Sequence, residues 1–267
     1  MSALTFTLKA KPTQRLDLSP LVPARLAKLK PQEIEALRIG TTRLKLTVGD
    51  AFKVKGSEAG TLRFVGTDAR CDFIGKELRD GEILVDGDAG AYLGAAMKSG
   101  TIQVNGNAGA LAGASMSGGT LAIAGHAGER AAGVLVGETH GMKGGVLTIG
   151  RNAGPLVGER MRRGLVIVNG DAGDYAGGRM IAGTILFKRR VGKNAGYALR
   201  RGSLIFLREP DEVLATFGDC GVVEFNYLRL LERWLRDTGR PVRLGGRARR
   251  LMGDMAALGK GEMLIIA

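Results

Sequence analysis

Residues 87–105 read GDAGAYLGAAMKSGTIQVN, with glycines at 87, 90, 94 and 100 ahead of the strand-like Thr101-Ile102-Gln103-Val104-Asn105. Nineteen residues on, Gly106, Gly109, Gly113 and Gly119 precede Thr120-Leu121-Ala122-Ile123. The frame continues through Arg151, Gly154, Gly158 and Gly164, then Gly170, Gly173, Gly177 and Gly183. A period near 20 residues with one short apolar alternation per unit is the signature of a stacked repeat. One repeat cannot bury its apolar side chains alone, whereas a stack can.

Each unit carries one extended stretch: Ile83-Leu84-Val85, Ile102-Gln103-Val104, Leu121-Ala122-Ile123, Val146-Leu147-Thr148-Ile149, Val166-Ile167-Val168 and Ile185-Leu186-Phe187. Each is bounded by Gly, Asn or Asp, which marks a short strand between turns. Asp86-Gly87, Asn105-Gly106 and Asn169-Gly170 supply residues suited to corners with positive φ. Ala89, Ala108, Ala127, Ala153, Ala172 and Ala195 suit a narrow interior. Two departures from the period predict surface loops. Gly125 to Arg151 spans 26 residues, an excess of about seven near Val134–Met142. Gly170 to Lys193 spans 23, an excess of about four near Lys188-Arg189-Arg190. The recurrence of the glycines argues against a phosphate loop, and no GxxxxGK[ST] occurs.

The ends differ from the middle. Residues 23–29 and 31–37 read as two short helices opened by proline, placed to cap the first repeat. Residues 222–236 read as an amphipathic helix with Tyr227, Leu228, Leu231, Trp234 and Leu235 on one face, ended by Gly239. Residues 262–266 read as a returning strand. The expected division is a capping segment over 1–40, the glycine repeat over 41–208 and a tail over 209–267.

Composition narrows the function. The 267 residues hold no run of 18 apolar residues, and residues 1–11 lack the apolar centre of a signal peptide, so a cytoplasmic protein without a membrane span is expected. Two cysteines, Cys71 and Cys220, and two histidines, His126 and His140, are too few and too scattered for a Cys/His metal centre, and none is expected. No nucleophile, base and acid stand in a recognisable local arrangement, so no catalytic residue is assigned. His126 follows a turn glycine and reads as a turn residue; His140 lies in the inserted loop.

Thirty-nine Lys and Arg against 26 Asp and Glu give a net charge of +13, which calls for an acidic partner. The residues two before each closing glycine are Arg79, Lys98, Ser117, Lys143, Arg162, Ile181 and Arg200. In a stack they form one mostly basic row, with neighbours about 5 Å apart repelling by roughly 1 kcal/mol even in water. Three explanations stand: a solvated face, an acidic partner subunit, or a polyanion laid along Arg79, Lys98, Lys143, Arg162 and Arg200. The cluster Arg247, Arg249 and Arg250 is a candidate docking element for a partner, since arginine suits carboxylates and phosphates.

The GxAGxxxG units followed by strands such as Gly100-Thr101-Ile102-Gln103-Val104 resemble the glycine-repeat domain of two groups. One is the C-terminal domain of the glutamate synthase large subunit; the other is the C subunit of formylmethanofuran dehydrogenase. The entry helices, Val48-Gly49-Asp50-Ala51-Phe52-Lys53-Val54, and the tail from Phe217-Gly218-Asp219-Cys220-Gly221 to Gly259-Lys260-Gly261-Glu262 resemble most the C subunit of bacterial formyltransferase/hydrolase complexes. Repeat and resemblance together set the expected fold: all-β, a right-handed β-solenoid of about seven coils with short N-terminal helices and a C-terminal helical tail. The spacing itself sets no hand.

The resemblance implies a scaffold subunit that is not a catalyst on its own. Its partners would be an amidohydrolase-like hydrolase, a transferase and further subunits that move formyl from tetrahydromethanopterin to a furan-type carrier and release formate. It also implies a carrier, methylofuran, bearing a polyglutamate tail, which the basic row could contact; no covalently bound cofactor is implied. A basic nucleic-acid binder is the alternative from charge alone, disfavoured by 5% aromatic content and no recognised motif. A glutamate synthase-like spacer would belong to a longer chain, whereas both ends here look finished.

Overall fold

The computed structural model describes residues 2–43 and 45–267. Its fifteen strands are β1 (Ala3–Leu8), β2 (Leu16–Asp17), β3 (Phe52–Lys55), β4 (Glu58–Thr67), β5 (Cys71–Asp72), β6 (Glu82–Gly87), β7 (Thr101–Val104), β8 (Thr120–Ile123), β9 (Lys143–Ile149), β10 (Arg163–Val168), β11 (Thr184–Phe187), β12 (Arg201–Phe206), β13 (Gly218–Glu224), β14 (Arg247–Gly253) and β15 (Lys260–Ile266). The helices are α1 (Pro23–Leu26), α2 (Pro31–Glu35), α3 (Val48–Ala51) and α4 (Asn226–Asp237).

Thirteen of these strands form one sheet in the order β13-β14-β15-β12-β11-β10-β9-β8-β7-β6-β4-β1-β3. The pairs from β1 to β15 are parallel, and antiparallel strands finish both edges. Register follows the repeat: Ile83 pairs with Ile102, Ile102 with Leu121, Leu147 with Val166, Val166 with Ile185 and Ile185 with Leu204. These side chains are fully buried in one column. Each such aliphatic group contributes about 1.5–3 kcal/mol over an exposed one. Met97, Met116, Met142, Met161 and Met180, also fully buried, form a second column against the glycines that open the following strands.

This arrangement corrects the expected right-handed β-solenoid with a helical tail. The extended strands gather into a single mixed sheet, and the predicted helical tail is mostly strands β13, β14 and β15 around the one helix α4. Elsewhere in each repeat the β-pairing of neighbours is limited to single-residue bridges, running Ala89, Ala108, Ala127, Ala153, Ala172, Val191. The physical reason lies in residues such as Tyr92, Gly94 and Ala96, whose φ values of 62°, 60° and 54° are left-handed and cannot build a strand. Their backbone groups are nevertheless satisfied between repeats. Tyr92 N–H donates to Ala110 O at 2.9 Å and Gly94 N–H to Ile74 O at 2.8 Å. That pairing offsets the 1–2 kcal/mol or so that a non-glycine left-handed residue costs.

Other sequence expectations shift in detail. The excess near 134–142 is real, because Thr120 pairs with Val146, 26 residues on. The excess near Lys188–Arg190 is not: Thr184 pairs with Ser203 and Ala172 bridges Val191, both 19 apart. Ala195 therefore lies in a different column from Ala172, though it too is buried. Gly106 is needed for closeness rather than for positive φ, since a Cβ there would sit 2.4 Å from both Asp88 Oδ1 and Gly87 O. Helix α4 starts at Asn226 because 218–224 pairs with β14. Its Leu228 and Leu235 bury against Leu165, Ile167, Leu186 and Ile205 on the outer sheet face, while Tyr227 and Trp234 stay 41% exposed.

Candidate polyanion-binding groove

The basic row exists in the register the repeat implies. Lys98, Ser117, Lys143, Arg162, Ile181 and Arg200 each donate their backbone N–H, at 2.6–2.9 Å, to the carbonyl of Leu78, Met97, Met116, Met142, Met161 and Met180 of the preceding repeat. The side chains then fall into separate environments. Arg79 lines a concavity of about 600 Å³ beside α1 with Arg25, Lys28 and Lys76, where Glu77 and Asp80 dilute the charge. Lys98 is exposed on the next repeat. Lys143 is paired with Glu138 of the inserted loop at 3.3 Å.

Arg162 and Arg200 come together in one groove. Two adjoining concavities, of about 410 and 510 Å³, share Ile181 and Arg200. The first is walled by Thr139, His140, Arg160 and Arg179, the second by Arg162, Arg163, Arg201 and Leu258. Ile181, the apolar break in the row, forms the shared floor. Six arginines thus line the groove, and no Asp or Glu among the described residues does. Of the six, Arg160, Arg162, Arg163, Arg200 and Arg201 make no ion pair among the described residues; Arg179 alone does, to Glu159 Oε1 at 3.3 Å.

Two contacts tie the inserted loop to the repeats as a wall, and a third lies within it. Gly141 N–H donates to Arg160 O at 2.8 Å. Ser115 Oγ donates to His140 O at 3.1 Å, and Thr139 Oγ1 lies 2.7 Å from His140 Nδ1. His126 plays a different part on another side of the stack. Its Nδ1 accepts the Asn152 N–H at 3.3 Å, in a column where Asp88, Asn107, Asn152 and Asp171 do the same for the next repeat.

The other candidate cluster is tied into the fold. Arg249 pairs with Asp219 and Glu209 at 2.8 and 2.7 Å, and the Arg249 guanidinium holds the Asp219 carboxyl below the usual carboxylate range. Arg250 pairs with Glu262 at 2.9 Å. Arg247 is exposed at the start of β14 without a carboxylate partner among the described residues. Burial pushes the Cys71 thiol up to about 11, far from a reactive thiolate. No three His, Cys, Asp or Glu among the described residues converge as a metal site. No helix among them is long and apolar enough to cross a membrane.

The groove therefore offers dense guanidinium charge, five of its six arginines without an ion pair among the described residues. Arg163 and Arg201 stand one position after the row, and Arg160 and Arg179 two before it. Comparing every column of the repeat, rather than one, would have found them.

Glycine-punctuated repeats of this register define the GXGXG-motif family. Its profile matches residues 42–234, and the chain belongs to that family. Within it the chain is similar to the C subunit of the formyltransferase/hydrolase complex Fhc of Methylorubrum extorquens, with 39% identity over 89 residues. That alignment covers 33% of this chain and about a third (34%) of the relative's length. It is also similar, at 39% identity and a TM-score of 0.94, to a chain in the crystal structure of the formyltransferase/hydrolase complex FhcABCD from the same organism, solved with methylofuran. There the match covers 98% of this chain and 99% of the other.

Proposed function

We propose that this chain is a non-catalytic subunit of a formyltransferase/hydrolase complex, and that its arginine groove holds the polyglutamate tail of the complex's furan-type carrier. Hydrolase and transferase subunits would perform formyl transfer and hydrolysis; this chain supplies rigid shape and charge. The observation that carries the reading is the set of five groove arginines with no carboxylate partner among the described residues. A fold gains nothing from gathering like charges, whereas a flexible chain of carboxylates neutralises them through several weak pairs at once. Pairing each guanidinium with a mobile carboxylate contributes about 0.2–1 kcal/mol, so retention comes from their number.

Native purification of the tagged chain from its source organism tests the reading, with mass spectrometry of co-eluting proteins and small anions. Co-elution of hydrolase and transferase polypeptides in fixed ratio with a glutamate-bearing carrier is expected. Elution of the chain alone, or with nucleic acid, would overturn it.

A further inference from the structure

Helix α4 buries one side, through Leu228 and Leu235, against the outward face of β10, β11 and β12. A second apolar stripe is left over. Tyr227, Leu230 and Trp234 stand at i, i+3 and i+7, so they line up along one shoulder of the helix. All three are exposed, Leu230 at 64%. Single apolar side chains are ordinary on a surface, but three aligned on one helix make a patch. Trp234 is also the chain's one tryptophan.

The stripe is held where it is from both flanks. Tyr227 Oη lies 2.9 Å from Thr184 Oγ1 on β11. On the opposite flank the Glu232 carboxylate accepts the Leu244 and Gly245 N–H groups, both at 2.8 Å. Rolling α4 to bury the stripe would break both sets of bonds and lift Leu228 and Leu235 from the sheet. Positive charge frames the patch. Arg229, Arg233 and Arg236 project from the same helix, and Arg163 and Arg201 open the strands on either side of β11. The two carboxylates of α4 are already engaged, Glu232 by the backbone and Asp237 by Arg236 at 3.5 Å. Arg229 reaches Glu224 only at 4.0 Å, and Arg233 makes no ion pair among the described residues.

Tryptophan, tyrosine and arginine are the side chains in which binding energy concentrates at protein interfaces. Anchors at i, i+3 and i+7 are the form in which a groove reads a helix. We infer that α4 is a docking helix: Tyr227, Leu230 and Trp234 seat in an apolar cleft, rimmed by carboxylates, on another polypeptide of the assembly. Carboxylates on that rim meet Arg233 and Arg229. A second copy of this chain is a poor occupant, because two chains of net charge +13 would set these arginines against their own kind. This contact is independent of the groove's ligand and requires only that the chain work within an assembly.

Photo-cross-linking in the natively purified assembly tests it. Benzoylphenylalanine takes the place of Leu230 or, as a control, of Ala110, which lies on another side of the repeat in the column of Glu129 and Asp174. From position 230 an adduct is expected with a different polypeptide, in a segment that holds Asp or Glu beside apolar residues; position 110 should give no adduct with that segment. Leu230→Asp should cut co-elution of the same polypeptide at least about tenfold. The free chain should still melt within about two degrees of the parent, because this side chain is exposed. Arg233→Glu should weaken retention more at about 0.01 M salt than at about 1 M, where the charges are screened. An adduct with a second copy, no adduct from an intact assembly, or an assembly that withstands Leu230→Asp would overturn the docking helix and leave the groove reading standing. If the chain purifies alone, the assembly falls and the role of α4 with it.

Discussion

Two sides of the same repeat treat their polar side chains in opposite ways. Along one, Asp88 takes the Asn107 N–H at 2.7 Å and Asn107 the His126 N–H at 2.9 Å. His126 then takes Asn152, Asn152 takes Asp171 at 3.1 Å, and Asp171 takes Arg190 at 3.1 Å. Each of these side-chain acceptors is used by the fold, satisfying a backbone donor of the next repeat. Along the groove, five of six guanidiniums meet no carboxylate among the described residues. The first side explains how the repeats hold register; the second leaves its charges free to meet a ligand, as the proposed function requires. Composition alone could not separate them, since both are dense in polar residues.

The largest effect should come from breaking the close approach on which the satisfied side depends. In Gly106→Val the new Cβ falls 2.4 Å from Gly87 O, a backbone atom that cannot swing aside. A loss of more than about 4 kcal/mol is expected, read as insoluble or unfolded protein by circular dichroism. Gly218→Ala on edge strand β13, with nothing within 4 Å of its added Cβ, should melt within about a degree of the parent.

Next in size is a change on the unsatisfied side. Arg162→Glu combined with Arg200→Glu replaces two attractions by two repulsions, which at roughly 1 kcal/mol or less per exposed pair amounts to about 10- to 100-fold in affinity for an oligoglutamate. The melting temperature should hold or rise, because like charges are relieved. A fall in stability comparable to the loss in binding would mean the arginines serve the fold after all.

Smaller again is the removal of one rung. Asn107→Ala strands the His126 N–H and should cost about 1 kcal/mol in chemical denaturation, while Asn107→Asp keeps Oδ1 but replaces the Nδ2 that donates to Asp88 Oδ1 at 3.1 Å by a second carboxylate, and should recover little of it at neutral pH. His126→Asn offers the same test one repeat on. It separates the reading of His126 as a structural acceptor, which asparagine can replace, from any role needing imidazole.

The same contrast explains what the sequence revealed. The aliphatic columns were legible because burial imposes a strict choice at a fixed spacing, as at Ile83, Ile102 and Leu121. The insertion after Gly125 was legible because the next strand kept its pattern. The apparent one after Gly170 comes from taking Lys193 as the frame marker: Gly192, Gly196 and Gly202 continue the 19-residue frame, and Lys193 does not mark it. That the strands gather into one sheet instead of β-solenoid coils was not legible, because Tyr92, Leu111 and Tyr175 adopt left-handed backbone against their own preference. Pairing between repeats stabilises them, a tertiary effect that no local propensity carries. Of the candidate site, Arg162 and Arg200 were found by counting one column. Arg160, Arg163, Arg179 and Arg201 were missed because the groove is made by neighbouring columns meeting over Ile181.

Lys98 sets the smallest and sharpest test of where the groove ends. It shares the row with Arg162 but lies three repeats away, about 14 Å at the usual strand spacing. At 0.15 M salt the screening length is about 8 Å, so its charge reaches a ligand on Arg162 only weakly; at 0.01 M the length is about 30 Å and the charge is felt in full. Lys98→Ala should therefore change oligoglutamate affinity by less than about twofold at physiological ionic strength and by visibly more in dilute buffer. Arg200→Ala should lower it severalfold in both, because contact pairs are screened far less. If Lys98→Ala matched Arg200→Ala at 0.15 M, the tail would run the whole length of the row, and the groove over Ile181 would be only one stretch of a longer track.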